Sequence, residues 1–274
     1  MNNIGFGTLK ASSADFKNTL REAFRQGIKH FDTAYSYRDA ETILSSVIKE
    51  QRVQRESIEI TTKVMPVLSF SKKTEVSLKR LKTDYVDNLL IHWPTKDEKL
   101  LYSILKSMEK LKDEEKILNI GLSNFPLELY KRIHKDFEIT TIQRCLSLLW
   151  IKDINEEIEY CNTNGIKIQT YSPLSSSLLV NKASSPYIDS AEIYNKIIAE
   201  LTRVAKDISC TVSQVALSYV FSYNVDTVFF STANKNNLLS NLELISYDNF
   251  DKLHTLAKQL ADINTADNFY KHEW

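Results

Sequence analysis

Glycine is scarce in this chain of 274 residues: only Gly5, Gly7, Gly27, Gly121 and Gly165 occur. No G-x-G-x-x-G opens a helix and no G-x-x-x-x-G-K-[ST] is present, so a bound nucleotide would be held by neither a Rossmann turn nor a P-loop. Cysteine is rarer still. Cys145, Cys161 and Cys210 are odd in number and far apart, which predicts free, mostly buried thiols in a reducing compartment rather than a disulfide framework. The five histidines form no H-x-x-x-H or H-E-x-x-H pair, so no metal site is expected. A serine hydrolase would need a G-x-S-x-G elbow, and there is none. Lys plus Arg balance Asp plus Glu at 35 each, leaving no net field to draw nucleic acid or an anionic membrane. The longest apolar runs are strand-sized, and no basic stretch followed by an apolar one opens the chain. Neither a membrane span nor a signal peptide is predicted, and a cytoplasmic location is expected.

What is present is alternation. Strand-like runs near 4–8, 28–33, 58–62, 85–91, 117–122, 140–146, 166–171 and 227–230 are separated by segments with helical periodicity. Phe16, Leu20, Ala23 and Phe24 share one helical face, with Ser12 or Ser13 placed to cap it and Gly27 placed to end it. Leu101, Ile104, Leu105, Met108 and Leu111 mark a longer helix, and others are expected near 126–134, 153–163, 191–207, 212–222 and 235–243. Eight strands alternating with helices imply parallel pairing and closure into a (β/α)8 TIM barrel, an α/β fold, as a single domain over 1–274.

In such a barrel the strand bodies are expected to carry apolar side chains, and reactive groups sit where strands end. Asp32, Lys63, His92 and Ser123 follow successive strands at intervals of 31, 29 and 31 residues, in step with the βα unit. Asn124, Gln143 and Tyr171 lie at or near later strand ends. Taken singly, each has an ordinary structural role: a helix cap for Asp32, a snorkelling stem for Lys63, a core hydrogen bond for His92, packing for Tyr37. The shared phase favours a common site. Trp150 reads as core, and Lys72-Lys73 with Lys79-Arg80 read as a solvated face.

The residue types suit one chemistry. A carbonyl that accepts hydride becomes an alkoxide and must be protonated. Tyrosine, with an unperturbed pKa of about 10, is a poor acid at neutral pH unless a cation favours its phenolate. Lys63 is the candidate cation, Asp32 its counter-ion, and His92 a donor to the substrate oxygen. Tyr37, in the loop after Asp32, is placed to be the acid.

Gly5-Phe6-Gly7-Thr8, Phe31-Asp32-Thr33-Ala34 with Tyr37, and Thr61-Thr62-Lys63-Val64 occur in order. Leu78-Lys79-Arg80-Leu81, Asp84-Tyr85-Val86-Asp87 and Ile91-His92-Trp93-Pro94 follow, then Ile120-Gly121-Leu122-Ser123-Asn124-Phe125 and Tyr171-Ser172-Pro173-Leu174. In this the chain resembles the aldo-keto reductase family over nearly its whole length. The resemblance implies an oxidoreductase that reduces an aldehyde or ketone with NADPH or NADH, bound extended. Tyr37 would be the general acid, tuned by Lys63 and Asp32, with His92 orienting the carbonyl. Ser123, Asn124 and Gln143 would hold the nicotinamide carboxamide, Tyr171 would stack on its ring, and Ser172, Pro173 and Leu174 would follow the phosphates. Asp32, Gly7, Thr8 and Ser231 fall among the cofactor-binding positions, as do Asn237 and Asn241 at the adenosine end. Trp93 and Phe125 would wall the substrate pocket, with the tail Asn268-Phe269-Tyr270-Lys271-His272-Glu273-Trp274 a further wall.

The chain departs from the family in three places. The N-terminal hairpin is short or absent. Arg144-Cys145-Leu146 follows Gln143, where Val-Glu-Tyr is common. Phe230-Ser231-Thr232-Ala233 replaces the Pro-Lys-Ser that precedes an Arg and Glu-Asn in NADPH-preferring members, leaving Lys235 as the nearby cation. Modest discrimination between NADPH and NADH is therefore expected. Two other functions compete. A cofactor-binding regulatory or scaffold protein has no need of the Asp32–Tyr37–Lys63–His92 set, and a barrel aldolase using Lys63 as a Schiff base leaves Ser123, Asn124, Gln143 and Tyr171 unexplained.

Overall fold

The computed structural model describes residues 4–9, 14–181, 188–245, 247 and 249–264. Eight parallel strands close in sequence order: β1 (Ile4–Gly7), β2 (His30–Asp32), β3 (Glu59–Val64), β4 (Val86–Ile91), β5 (Ile117–Ser123), β6 (Thr141–Cys145), β7 (Lys167–Tyr171) and β8 (Thr227–Phe230), with β8 paired back to β1. This is the expected (β/α)8 barrel.

Helices α1 (Ala14–Arg25), α2 (Ala40–Glu50), α3 (Phe70–Leu81), α4 (Glu98–Asp113), α5 (Leu127–His134) and α6 (Ile154–Asn164) connect the first seven strands. The longer link from β7 to β8 holds α7 (Leu178–Asn181), α8 (Ala191–Asp207) and α9 (Val212–Phe221); α10 (Lys235–Leu242) and α11 (Asp251–Ile263) follow β8. The apolar stripes face the strands as their spacing requires. Phe16, Leu20 and Ala23 of α1 and Leu101, Ile104, Leu105, Met108 and Leu111 of α4 are all buried. Gly27 and Gly165 end α1 and α6 with positive φ, where a side chain would be strained. The Ser12 or Ser13 cap lies outside the described residues, as does the tail 268–274. Trp150 is core, 2% exposed. Among the described residues, no helix is long and apolar enough to cross a membrane and no group of His, Cys, Asp or Glu could hold a metal ion.

Three expectations need correction or extension. Helix α11 was not among those expected, yet Leu253, Leu256, Ala257 and Leu260 form its buried stripe; it packs on α8 and is tied there by Lys252 to Glu200 at 2.6 Å. Arg80 is not simply part of a solvated face. Its guanidinium lies 4.7 Å from the Tyr35 ring centroid, donates to the Tyr35 carbonyl at 3.0 Å and pairs with the buried Glu41 at 3.5 Å. The barrel interior is not filled by apolar side chains alone. Thr61, Asn88, Thr141, Gln143 and Gln169 are buried along its axis and bond to one another, which is how their desolvation is offset.

Candidate active site

The residues that end the strands meet in one cavity of about 320 Å³. Gly7 reaches it from β1, Asp32 from β2, Lys63 from β3 and His92 from just beyond β4. Ser123 and Asn124 come from β5, Gln143 from β6, Tyr171 from β7, and Phe230 and Ser231 from β8. The phase of 31, 29 and 31 residues thus corresponds to neighbouring positions around one mouth.

Lys63 is 2% exposed. Its ammonium donates to both Asp32 oxygens at 2.7 Å and to the Thr33 carbonyl at 2.9 Å. Burial pulls the ammonium below the usual lysine range, while the charge and hydrogen bonds of Asp32 oppose that pull. Asp32 Oδ1 also accepts from Gln143 Nε2 at 2.8 Å. The Lys63 nitrogen lies 5.1 Å from the Tyr37 ring centroid, and the Tyr37 and His92 rings meet edge to face with centroids 5.7 Å apart. The four side chains therefore form one cluster with a buried ion pair at its base.

The loop carrying Tyr37 is held from several sides. Tyr35 N donates to the Lys63 carbonyl at 2.9 Å, and Arg80 grips Tyr35 from α3. Glu41, fully buried, accepts from Thr62 Oγ1 at 2.9 Å and so ties the start of α2 to β3. Across the mouth, Asn124 takes a left-handed φ of 64°, a conformation asparagine tolerates. It donates to the His92 carbonyl at 3.2 Å and to Ser123 Oγ at 3.0 Å, and accepts from Tyr171 Oη at 2.6 Å. Ser172, Pro173 and Leu174 continue the wall. Two buried polar atoms on this wall, Gln143 Oε1 and Ser231 Oγ, have no hydrogen-bond partner among the described residues. Such atoms suit a polar ligand that supplies the missing bonds.

Not every expected position reaches the cavity. Thr8 is buried and donates to the Asp32 carbonyl at 3.0 Å, so it braces the β2 end from behind. Trp93 lines the cavity; Phe125 is half-buried against the core and does not. Asn237 is exposed and Asn241 buried on α10, both outside the lining. Lys235, at the start of α10, is paired with Glu22 of α1 at 3.0 Å. Arg144, where the family pattern is broken, bonds Glu157 and the Lys152 carbonyl and so fastens the loop after β6.

Other lining residues were not anticipated. Met65 and Phe229 lie at or beside strand ends, but the search there was for polar, reactive groups, so apolar side chains gave no signal. Ser176 and Ser177 gave no signal. With Ser175 they form three consecutive left-handed residues, a conformation the serine side chain does not announce.

The model of the aldo/keto reductase family matches residues 3–258. The chain is 29% identical over 264 residues to the glyoxal reductase of Bacillus subtilis, covering 93% of this chain and 88% of that protein. It is 24% identical over 285 residues to an NADH-specific methylglyoxal reductase of Escherichia coli, covering 89% and 87%. Its fold is similar, with a TM-score of 0.75, to an aldo/keto reductase of Klebsiella pneumoniae solved with NADP and acetate; identity is 22%, and 98% and 94% of the two chains are covered.

Proposed function

The chain belongs to the aldo/keto reductase family, an NAD(P)H-dependent group of oxidoreductases, and from that premise we propose that it reduces a small, uncharged aldehyde or ketone, with Tyr37 as the proton donor. The observation that carries this reading is the cluster itself: a buried Lys63–Asp32 pair beneath the Tyr37 ring, with His92 against the other edge. When bound, the nicotinamide supplies the hydride. Tyr37 gives its proton to the carbonyl oxygen as charge develops there, and the Lys63 cation stabilises the phenolate left behind. Asp32 keeps Lys63 charged and in place. His92 donates to the same oxygen and orients the carbonyl. Asp32 and Lys63 are the only charged side chains on the described cavity wall, and they neutralise each other. An anionic substrate finds no free cation there, while Trp93, Met65 and Leu9 offer apolar contact.

Ser123, Asn124 and Gln143 would hold the carboxamide, and the partnerless Gln143 Oε1 supports this assignment. Tyr171 would stack on the ring, Ser172, Pro173 and Leu174 would follow the phosphates, and Gly7 and Ser231 would border the path. Asn237 and Asn241 would lie towards the adenosine. With Lys235 paired to Glu22, we expect NADPH and NADH to bind with dissociation constants within about 100-fold of one another. Fluorescence titration with each cofactor measures that ratio.

The catalytic assignment is tested by Tyr37→Phe. Reduction of a panel of aldehydes and ketones should fall by about 10²- to 10⁴-fold with cofactor affinity retained. Full activity in the variant rejects Tyr37 as the acid. No turnover by the wild type on any carbonyl compound would favour a cofactor-binding regulatory role instead.

A further inference from the structure

The polar side chains along the barrel axis form one connected set of hydrogen bonds. At the end opposite the cavity, the Glu59 carboxylate accepts from Asn88 Nδ2 at 2.7 Å. A carboxylate only accepts, so this contact fixes which way the Asn88 amide points, and its Oδ1 accepts from Thr141 Oγ1 at 3.2 Å. Asn88 Nδ2 also donates to Thr61 Oγ1 at 3.1 Å, and the Thr61 hydroxyl lies against both ends of the Gln169 amide, 3.3 Å from the acceptor Oε1 and 3.2 Å from the donor Nε2. Gln169 Oε1 accepts from Gln143 Nε2 at 3.1 Å. The other Gln143 proton goes to Asp32 Oδ1 at 2.8 Å. Both Gln143 donors are then committed, and Oε1 alone is left for the cavity. Gln169 is 1% exposed and does not touch the cavity.

We infer that Gln169 is a positioning residue: it sets the plane of the Gln143 amide so that the carbonyl oxygen faces the cavity as an acceptor for the N–H of a nicotinamide carboxamide. Asp32 alone would fix one N–H and leave the amide to turn about that bond; the second acceptor, on Gln169, removes that freedom. Thr61 and Asn88 hold Gln169 in turn, back to Glu59. The inference rests on the reading of Gln143 given above.

The test compares two reduced cofactors by calorimetry: NADH, and its 3-acetylpyridine analogue, in which a methyl ketone replaces the amide and no N–H is offered. Wild type should bind NADH about tenfold more tightly than the analogue, the size of one well-placed hydrogen bond. Gln143→Ala should abolish that preference, and Gln169→Leu should bring it close to the same level. A general packing defect would weaken both ligands alike and leave their ratio unchanged. Thr61→Val, which removes the hydroxyl that bonds Gln169 at nearly constant volume, should lower the ratio part of the way and carries the same test should Gln169→Leu fail to fold. The proposal is overturned if Gln143→Ala loses the preference while Gln169→Leu, or Thr61→Val in its place, keeps the wild-type ratio. If Gln143→Ala keeps the preference, it is the assignment of Gln143 that fails, and the role of Gln169 falls with it.

Discussion

The Lys63–Asp32 end of the cavity and the rim beyond β8 hold their charges differently. At the first, Lys63 and Asp32 answer each other inside the barrel, and Thr33, Gln143 and Gln169 close the remaining bonds through strands far apart in sequence. At the rim, Lys235 is the one cation in 231–241, and it is paired over the surface with Glu22, whose carboxyl Gln26 and then Lys235 hold below the usual range. The bonded groups of the two regions share no residue. The Lys63–Asp32 end is fixed by long-range packing, whereas the far end is fixed by two neighbouring helices, so a change at the far end should leave the geometry of the proposed site in place and the two should be additive.

The largest effect should come from breaking the Lys63–Asp32 side. Lys63→Met leaves the Asp32 carboxylate buried without its partner and should destabilise the fold by about 3–5 kcal/mol, read from the denaturant midpoint. A midpoint equal to that of the wild type would mean that this pair is not what holds the region. Arg80→Met removes the grip on Tyr35 without substituting any cavity residue. It should cost about tenfold in kcat/KM through misplacement of the Tyr37 loop, with less change in cofactor affinity. At the rim, Glu22→Gln should release Lys235 and raise the NADPH-to-NADH affinity ratio roughly two- to fivefold, with kcat under saturating NADH unchanged. A change in kcat would show that the regions are coupled after all. The smallest effect belongs to a control remote from both. Glu200 titrates at about 2 when folded against 4.5 in the open chain, held down first by Arg203 and then by Lys252. Its contribution is present above pH 4.5 and is lost as pH falls towards 2, so Glu200→Gln should lower stability at neutral pH and flatten that part of the acid-unfolding curve. Both basic partners are more than half exposed, which keeps the effect below about 1 kcal/mol.

The cavity side of the barrel was legible because Asp32, Lys63, His92 and Ser123 recur with the βα period, and a barrel converts that period into adjacency. Gly27 and Gly165 were legible for a local reason, since a helix followed at once by a strand needs a left-handed stop. Helix α11 was legible in principle, in the spacing of Leu253, Leu256, Ala257 and Leu260, but it lies beyond the eighth unit and is not required to close the barrel. The bonds among Asn88, Thr61, Gln169 and Gln143 were not legible. A threonine or amide in a strand body looks like a surface residue until its partner, up to 108 residues away, is known. The left-handed run at Ser175, Ser176 and Ser177 was hidden for the opposite reason, because serine is at home in ordinary turns and carries no mark of that conformation.

The bonded amides and hydroxyls along the barrel axis bear on temperature as well as on geometry. Hydrating apolar surface raises the heat capacity of an unfolding chain, and hydrating polar groups lowers it. A barrel whose axis releases Thr61, Asn88, Thr141, Gln143 and Gln169 into water should therefore show a smaller heat-capacity increment than one of equal size packed with valine and leucine. Its stability would vary more gently with temperature, so that weakening on cooling and on heating would both set in more gradually around the maximum.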